Sequence, residues 1–197
     1  MAVLVVSYPI LVHLSVLLHQ PLLQWLSLVV LCAVPQYAGL KAGRPRAWLL
    51  LGLLGALLLI VTRLGGGLYA LFLPPIVLPA MLLILFGGSL RRGREPLITR
   101  MARATRTELP ADLERYSRQV TVLWVVVLAA QVALAAGLAL FASAETWSWY
   151  TNVASYVVIG AVFAIEYGWR RWRFRHLAHP GVVEYVRLLV RTDYRAL

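Results

Sequence analysis

The sequence predicts an all-α fold: a polytopic membrane bundle of about six transmembrane helices, with both termini in the cytoplasm and a basic amphipathic helix on that side. Three observations predict it. The 197 residues are 61% hydrophobic and only 14% charged, whereas soluble domains carry roughly 25% charged residues. A chain this short cannot hide so much apolar surface from water. The apolar residues also fall into runs of about 20, the length that crosses a bilayer. Finally, the basic residues collect in three segments that an even number of crossings puts on one side.

The spans follow in chain order. The first covers residues 2–19 and the second 21–40, parted by little more than "HQP". The N-terminus has no basic region and no convincing small-residue cleavage site, so it reads as a retained span. A re-entrant hairpin over 1–40 is the alternative. The third span is 47–63, "AWLLLGLLGALLLIVTR", and the fourth 67–87, "GLYALFLPPIVLPAMLLILFG". The fifth is 119–142 and the sixth 150–169. Helices are required because lipid offers backbone groups no partner. The runs do not alternate as barrel strands would.

Charge sets the orientation. The formal net charge is +11, from one lysine and 18 arginines against eight acids. Segment 41–46, loop 88–118 and the tail from Gly168 hold all but one of these 19 basic residues. The opposite side has only Arg63, Glu145 and His19. The excess of arginine marks the cytoplasmic face. Trp147, Trp149 and Tyr150 suit an outer aromatic belt, and Tyr167, Trp169 and Trp172 an inner one. Cys32, the only cysteine, lies in an apolar run and reads as a small hydrophobe.

Loop 88–118 begins "GSLRRGREPLITR". Glu95 is placed to cap a helix whose first turn accepts Pro96. Over 94–106, Leu97, Met101 and Thr105 share one stripe, while Arg100, Arg103 and Arg106 share another. That pattern describes a surface amphipathic helix. A second helix restarts at Pro110 with Asp112 and Glu114 in its first turn, and runs into the fifth span. Two readings of the arginines stay open. They fix topology and hold anionic phospholipid, or Ser89, Arg91, Arg92, Arg94, Arg100 and Arg103 grip a phosphate or carboxylate, with Gly93 letting the backbone bend close.

Polar residues inside the spans are the remaining candidates, because lipid makes them costly. Glu166 precedes "WRRWRFR" and has Arg170 four residues on. His13 lies in the middle of the first span, while Gln131 and Asn152 suit hydrogen bonds between helices. Pro74, Pro75 and Pro79 remove three donors from the fourth span, which kinks it or opens it onto a cavity. The small residues of "AAQVALAAGLALFASA" suit close helix packing, within the monomer or in a homo-oligomer. His176 and His179 are followed by "HPG" and have no completing ligand, so no metal is expected, and neither a cofactor nor nucleic acid.

Ser89–Arg100, Arg115–Tyr116 with Arg118, and Glu166–Tyr167 carry a resemblance. The chain resembles an uncharacterised bacterial inner-membrane family with a Ser-Leu-Arg-x-Gly-Arg-Glu-Pro-Leu-Ile-Thr-Arg loop. The likeness is good over about 85–175 and only general in the first four spans. Arg92 stands where the family pattern has proline. The resemblance implies an accessory role beside aryl polyene or xanthomonadin-type lipid biosynthesis, where an acyl carrier protein and acyltransferases operate. It implies no activity for particular residues. The leading functional reading is therefore a non-enzymatic membrane component whose basic surface meets a carrier protein, an enzyme partner or anionic lipid. A small transporter or flippase subunit is the second reading. A membrane-embedded enzyme acting on an acyl thioester or lipid phosphate is the third.

Overall fold

The computed structural model describes residues 2–104 and 110–175. All regular structure among them is helical: α1 (Ala2–Leu17), α2 (Pro21–Lys41), α3 (Pro45–Arg63), α4 (Gly67–Phe72), α5 (Pro74–Ser89), α6 (Leu97–Ala104), α7 (Ala111–Phe141), α8 (Ala144–Trp149), a π-turn (Tyr150–Ala154) and α9 (Ser155–Arg173). Thr105, Arg106, His176, His179 and the tail beyond Arg175 lie outside the described residues.

Among the described residues, five helical stretches are long and apolar enough to cross a membrane: Pro21–Lys41, Pro45–Arg63, Gly67–Ser89, Ala111–Phe141 and Ala144–Arg173. The expectation for the first span differs. Helix α1 has 16 residues, about 24 Å at 1.5 Å per residue, short of a hydrocarbon core of about 30 Å. It ends early because the Gln20 amide bonds back to Ser15 O and His19 turns into the left-handed region at φ +52°. Pro21 then opens α2, where a missing donor costs nothing.

The chain divides into two compact units. The first comprises Met1–Leu78 and Gln131–Val157. There α1 and α2 form a tight hairpin, and α3 packs on α2. Trp25 Nε1 donates to Gly55 O at 2.8 Å, pinning α2 to α3. Ser15, Ser27 and Thr62 are buried, yet each hydroxyl donates to a carbonyl of its own helix. Neighbouring helices can therefore approach without an unmatched polar group. At Gly67 the approach is closest: a Cβ would stand 2.5 Å from Gln24 Oε1 and 3.0 Å from Thr62 Cγ2.

The core of this unit is Tyr8, Val12, Leu28, Leu71 and Trp147. Trp147 is therefore no belt residue. It is fully buried, with its ring 4.6 Å from Phe72, whereas Trp149 is 57% exposed. The prolines interrupt the fourth span only at Leu73, which itself keeps helical dihedrals (φ −69°, ψ −49°). Pro74 and Pro75 occupy the first turn of α5, and the Ile76 and Val77 amides bond to Leu73 O at 3.1 and 2.8 Å.

The second unit comprises Pro79–Ala130 and Val158–Leu197. Its core gathers Leu113, Tyr116, Val120, Trp124 and Phe174, with Phe86, Ile98 and Val162 packed against it. Trp124 meets Phe163 at 4.4 Å between ring centroids. Helix α7 is 31 residues long, about 46 Å, so it can cross the hydrocarbon and still extend its polar first turns beyond. This agrees with a helix that starts after Pro110 and continues unbroken into the span.

Candidate functional site

The loop between α5 and α6 builds the site. The Arg94 amide bonds to Arg91 O at 3.1 Å, closing a tight turn. Gly93 occupies the left-handed region of that turn at φ +80°, where a side chain would be strained. The chain doubles back and α6 begins at Leu97.

Hydroxyl groups dock α6. Ser89 Oγ donates to Phe86 O at 2.7 Å and accepts from the Leu97 amide at 3.0 Å. The Ile98 amide reaches Thr121 Oγ1 at 3.4 Å, and Thr121 Oγ1 donates to Ser117 O at 2.9 Å. Ser117 Oγ donates to Glu114 O and lies 2.7 Å from Thr99 Oγ1. With its proton directed at Glu114, Ser117 receives the Thr99 proton. Thr99 and Thr121 are fully buried. The Leu97 and Ile98 amides, which no helical carbonyl serves, are thus satisfied from within. Sequence reasoning missed Thr99, Ser117 and Thr121. The signal available was a hydroxyl pair at i and i+4, Ser117 and Thr121, at the polar start of α7.

Beside this dock lies a cleft of about 480 Å³, lined by Ile84, Leu85, Gly88, Ser89, Arg94, Glu95 and Arg100. Three expected residues, Ser89, Arg94 and Arg100, thus come together. Arg91, Arg92 and Arg103 are not in the lining. Arg91 and Arg92 are exposed on the turn. Ser89 lines the cleft, but its proton is already given to Phe86 O.

Glu95 does not cap α6. Its Oε1 accepts from Arg103 Nε at 2.6 Å, and Arg103 Nη2 reaches Glu114 Oε1 at 3.1 Å. The bond to Glu95, and then the charges of Glu95 and Glu114, push the Arg103 guanidinium above its usual pKa. Arg103 is therefore held by two carboxylates, whereas Arg94 and Arg100 have no acidic partner among the described residues. Two guanidiniums beside an apolar wall can hold an oxyanion through charge-assisted, bidentate bonds.

The other expected polar residues fall elsewhere. In the second unit, Glu166 Oε1 accepts from Tyr116 OH at 3.2 Å and pairs with Arg170 Nε at 3.5 Å. In the first unit, His13 Nδ1 meets the fully buried Ser148 Oγ at 3.1 Å. Gln131 joins α7 to the last span as expected, accepting from Tyr150 OH at 2.7 Å and donating to Ser155 O at 3.4 Å. Asn152 departs from expectation: its Nδ2 bonds to Ser148 and Thr151 of its own segment. Asn152, Thr151 and Tyr150 sit in the π-turn, a wide turn that helices often place at functional positions.

Comparisons with protein-family models, curated proteins and solved structures return no match for this chain.

Proposed function

We propose that this chain is an accessory, non-enzymatic component of the bacterial inner membrane that binds the anionic phosphate of lipid headgroups on a basic cytoplasmic surface. One observation carries this reading: Arg94 and Arg100 line a single cleft without acidic partners among the described residues, next to the exposed apolar side chains of Ile84 and Leu85. A phospholipid presents the same order of chemistry, an oxyanion adjoining hydrocarbon. The lining contains no histidine or cysteine. Its one carboxylate, Glu95, is ion-paired to Arg103.

In this proposal the chain crosses the bilayer six times, α1 included. Both termini and α6 face the cytoplasm, following the arginine asymmetry. The service of an acyl or aryl-polyene-type lipid pathway rests on the resemblance of the loop and of about 85–175. A second reading, docking of an acidic carrier protein, draws on Arg91 and Arg92, which are exposed outside the cleft. The one-residue interruption at Leu73 gives a transporter reading less support.

The test is lipid binding by the intact chain in nanodiscs, comparing phosphatidylglycerol with uncharged diacylglycerol. Arg94→Gln with Arg100→Gln is expected to abolish the preference for the phosphate lipid. An unchanged preference, in a variant that keeps its helix content, rejects the reading. Pull-down of carrier protein that depends on Arg91 and Arg92 favours the second reading.

A further inference from the structure

Resting on that reading, we propose that the cleft is built for a phosphate ester bearing a primary amine, the aminoethyl phosphate of a zwitterionic lipid, rather than for a simple anion. A site selecting bare negative charge gains nothing from a carboxylate in its wall, yet Glu95 lines this one together with Arg94 and Arg100. Arg103 does not cancel that acid outright, because the same guanidinium is shared with Glu114. Glu95, Arg103 and Glu114 together carry one net negative charge. The cleft therefore has a doubly cationic part and an anionic rim within one volume of about 480 Å³, inside the usual range for small-molecule sites of about 300–1,000 Å³.

Glu95 Oε1 accepts from Arg103. A carboxylate offers about four lone-pair sites over its two oxygens, so acceptor capacity remains for ammonium N–H groups. The phosphodiester falls to Arg94 and Arg100, the amine to Glu95, and the first part of the acyl chains to Ile84 and Leu85. A trimethylated amine fits poorly, since it has no N–H to donate and is bulkier.

The discriminating pair is thus phosphatidylethanolamine against phosphatidylcholine. Both are net neutral, so a general change in the protein's charge moves them together. The experiment measures competitive binding of the two lipids to the full chain in nanodiscs. The native chain is expected to favour phosphatidylethanolamine roughly threefold, the size of an exposed charged contact. Glu95→Gln brings the ratio to about one. Glu114→Gln leaves the Arg103 guanidinium to Glu95 alone and is expected to lower the ratio part of the way toward one. No discrimination by the native chain, or discrimination that survives Glu95→Gln, overturns the proposal. A ratio in Glu114→Gln that equals or exceeds the native one likewise overturns it. Failure of the underlying reading looks different: Arg94→Gln with Arg100→Gln then leaves binding of every phospholipid unchanged.

Discussion

Tyr116 OH donates to Glu166 Oε1 over 3.2 Å, tying the polar foot of α7 to α9 fifty residues later. Glu166 also holds Arg170, four residues along its own helix, and Tyr116 packs edge-on against Phe174 at 5.2 Å. The intramembrane acid singled out from the sequence is therefore a joint between two helices. Tyr116→Phe and Glu166→Gln are expected to destabilise less together than the sum of each alone, with a coupling of about 0.6 kcal/mol, typical of hydrogen bonds between membrane helices. Unfolding in mixed micelles measures it. Strict additivity removes the joint.

The buried hydroxyls of Thr99 and Ser117 lie 2.7 Å apart and anchor α6. Thr99→Val keeps the shape and deletes the donor, at a cost of about 1 kcal/mol. Amide exchange over Ile98–Arg103 is expected to rise roughly fivefold, with exchange in α3 unchanged. Uniform acceleration across both segments indicates global destabilisation instead.

Gly67 and Gly137 give opposite expectations for the same substitution. Gly67→Ala drives a methyl into Gln24 and Thr62, and overpacking of this kind costs about 1–3 kcal/mol. An added Cβ at Gly137 meets nothing within 4 Å. Gly137→Ala is therefore neutral or stabilising by up to about 1 kcal/mol, through loss of chain freedom in the unfolded state. Thermal melts of the two variants in one detergent decide it.

Arg91 and Arg92 differ from Arg94 and Arg100 in what salt does to them. The first pair lies on the turn outside the cleft lining, where charge acts over a screening length of about 8 Å at physiological ionic strength. Arg91→Gln with Arg92→Gln is expected to weaken association with anionic vesicles by about 1 kcal/mol per charge at low salt, and to have little effect at high salt. The deficit of Arg94→Gln with Arg100→Gln persists, because their contacts are local. Identical salt profiles for the two double variants remove the distinction between surface and cleft.

Much of the helical pattern could be read in the sequence, because lipid leaves a long apolar run few alternatives. The turns were legible too, from Pro21 and Gly93. Helix α1 was harder to read. Its apolar character continues past Leu17, and only the backbone shows where His19 turns. The cleft was partly legible. The arginines were visible, but which of them pair with an acid was not, since Glu95 and Arg103 are eight residues apart, beyond the three- or four-residue spacing of helical neighbours. Trp147 misled because aromatic residues near a span end suit both a belt and a core.

The shortness of α1 makes acyl-chain length a variable for this protein. If its 16 residues do traverse the bilayer, the surrounding leaflets must thin by about 6 Å, or its flanking groups must stretch toward water. Either adjustment eases as lipid tails shorten. The chain would then be sturdiest in thin membranes, and local compression around α1 would favour short-tailed lipids as its immediate neighbours.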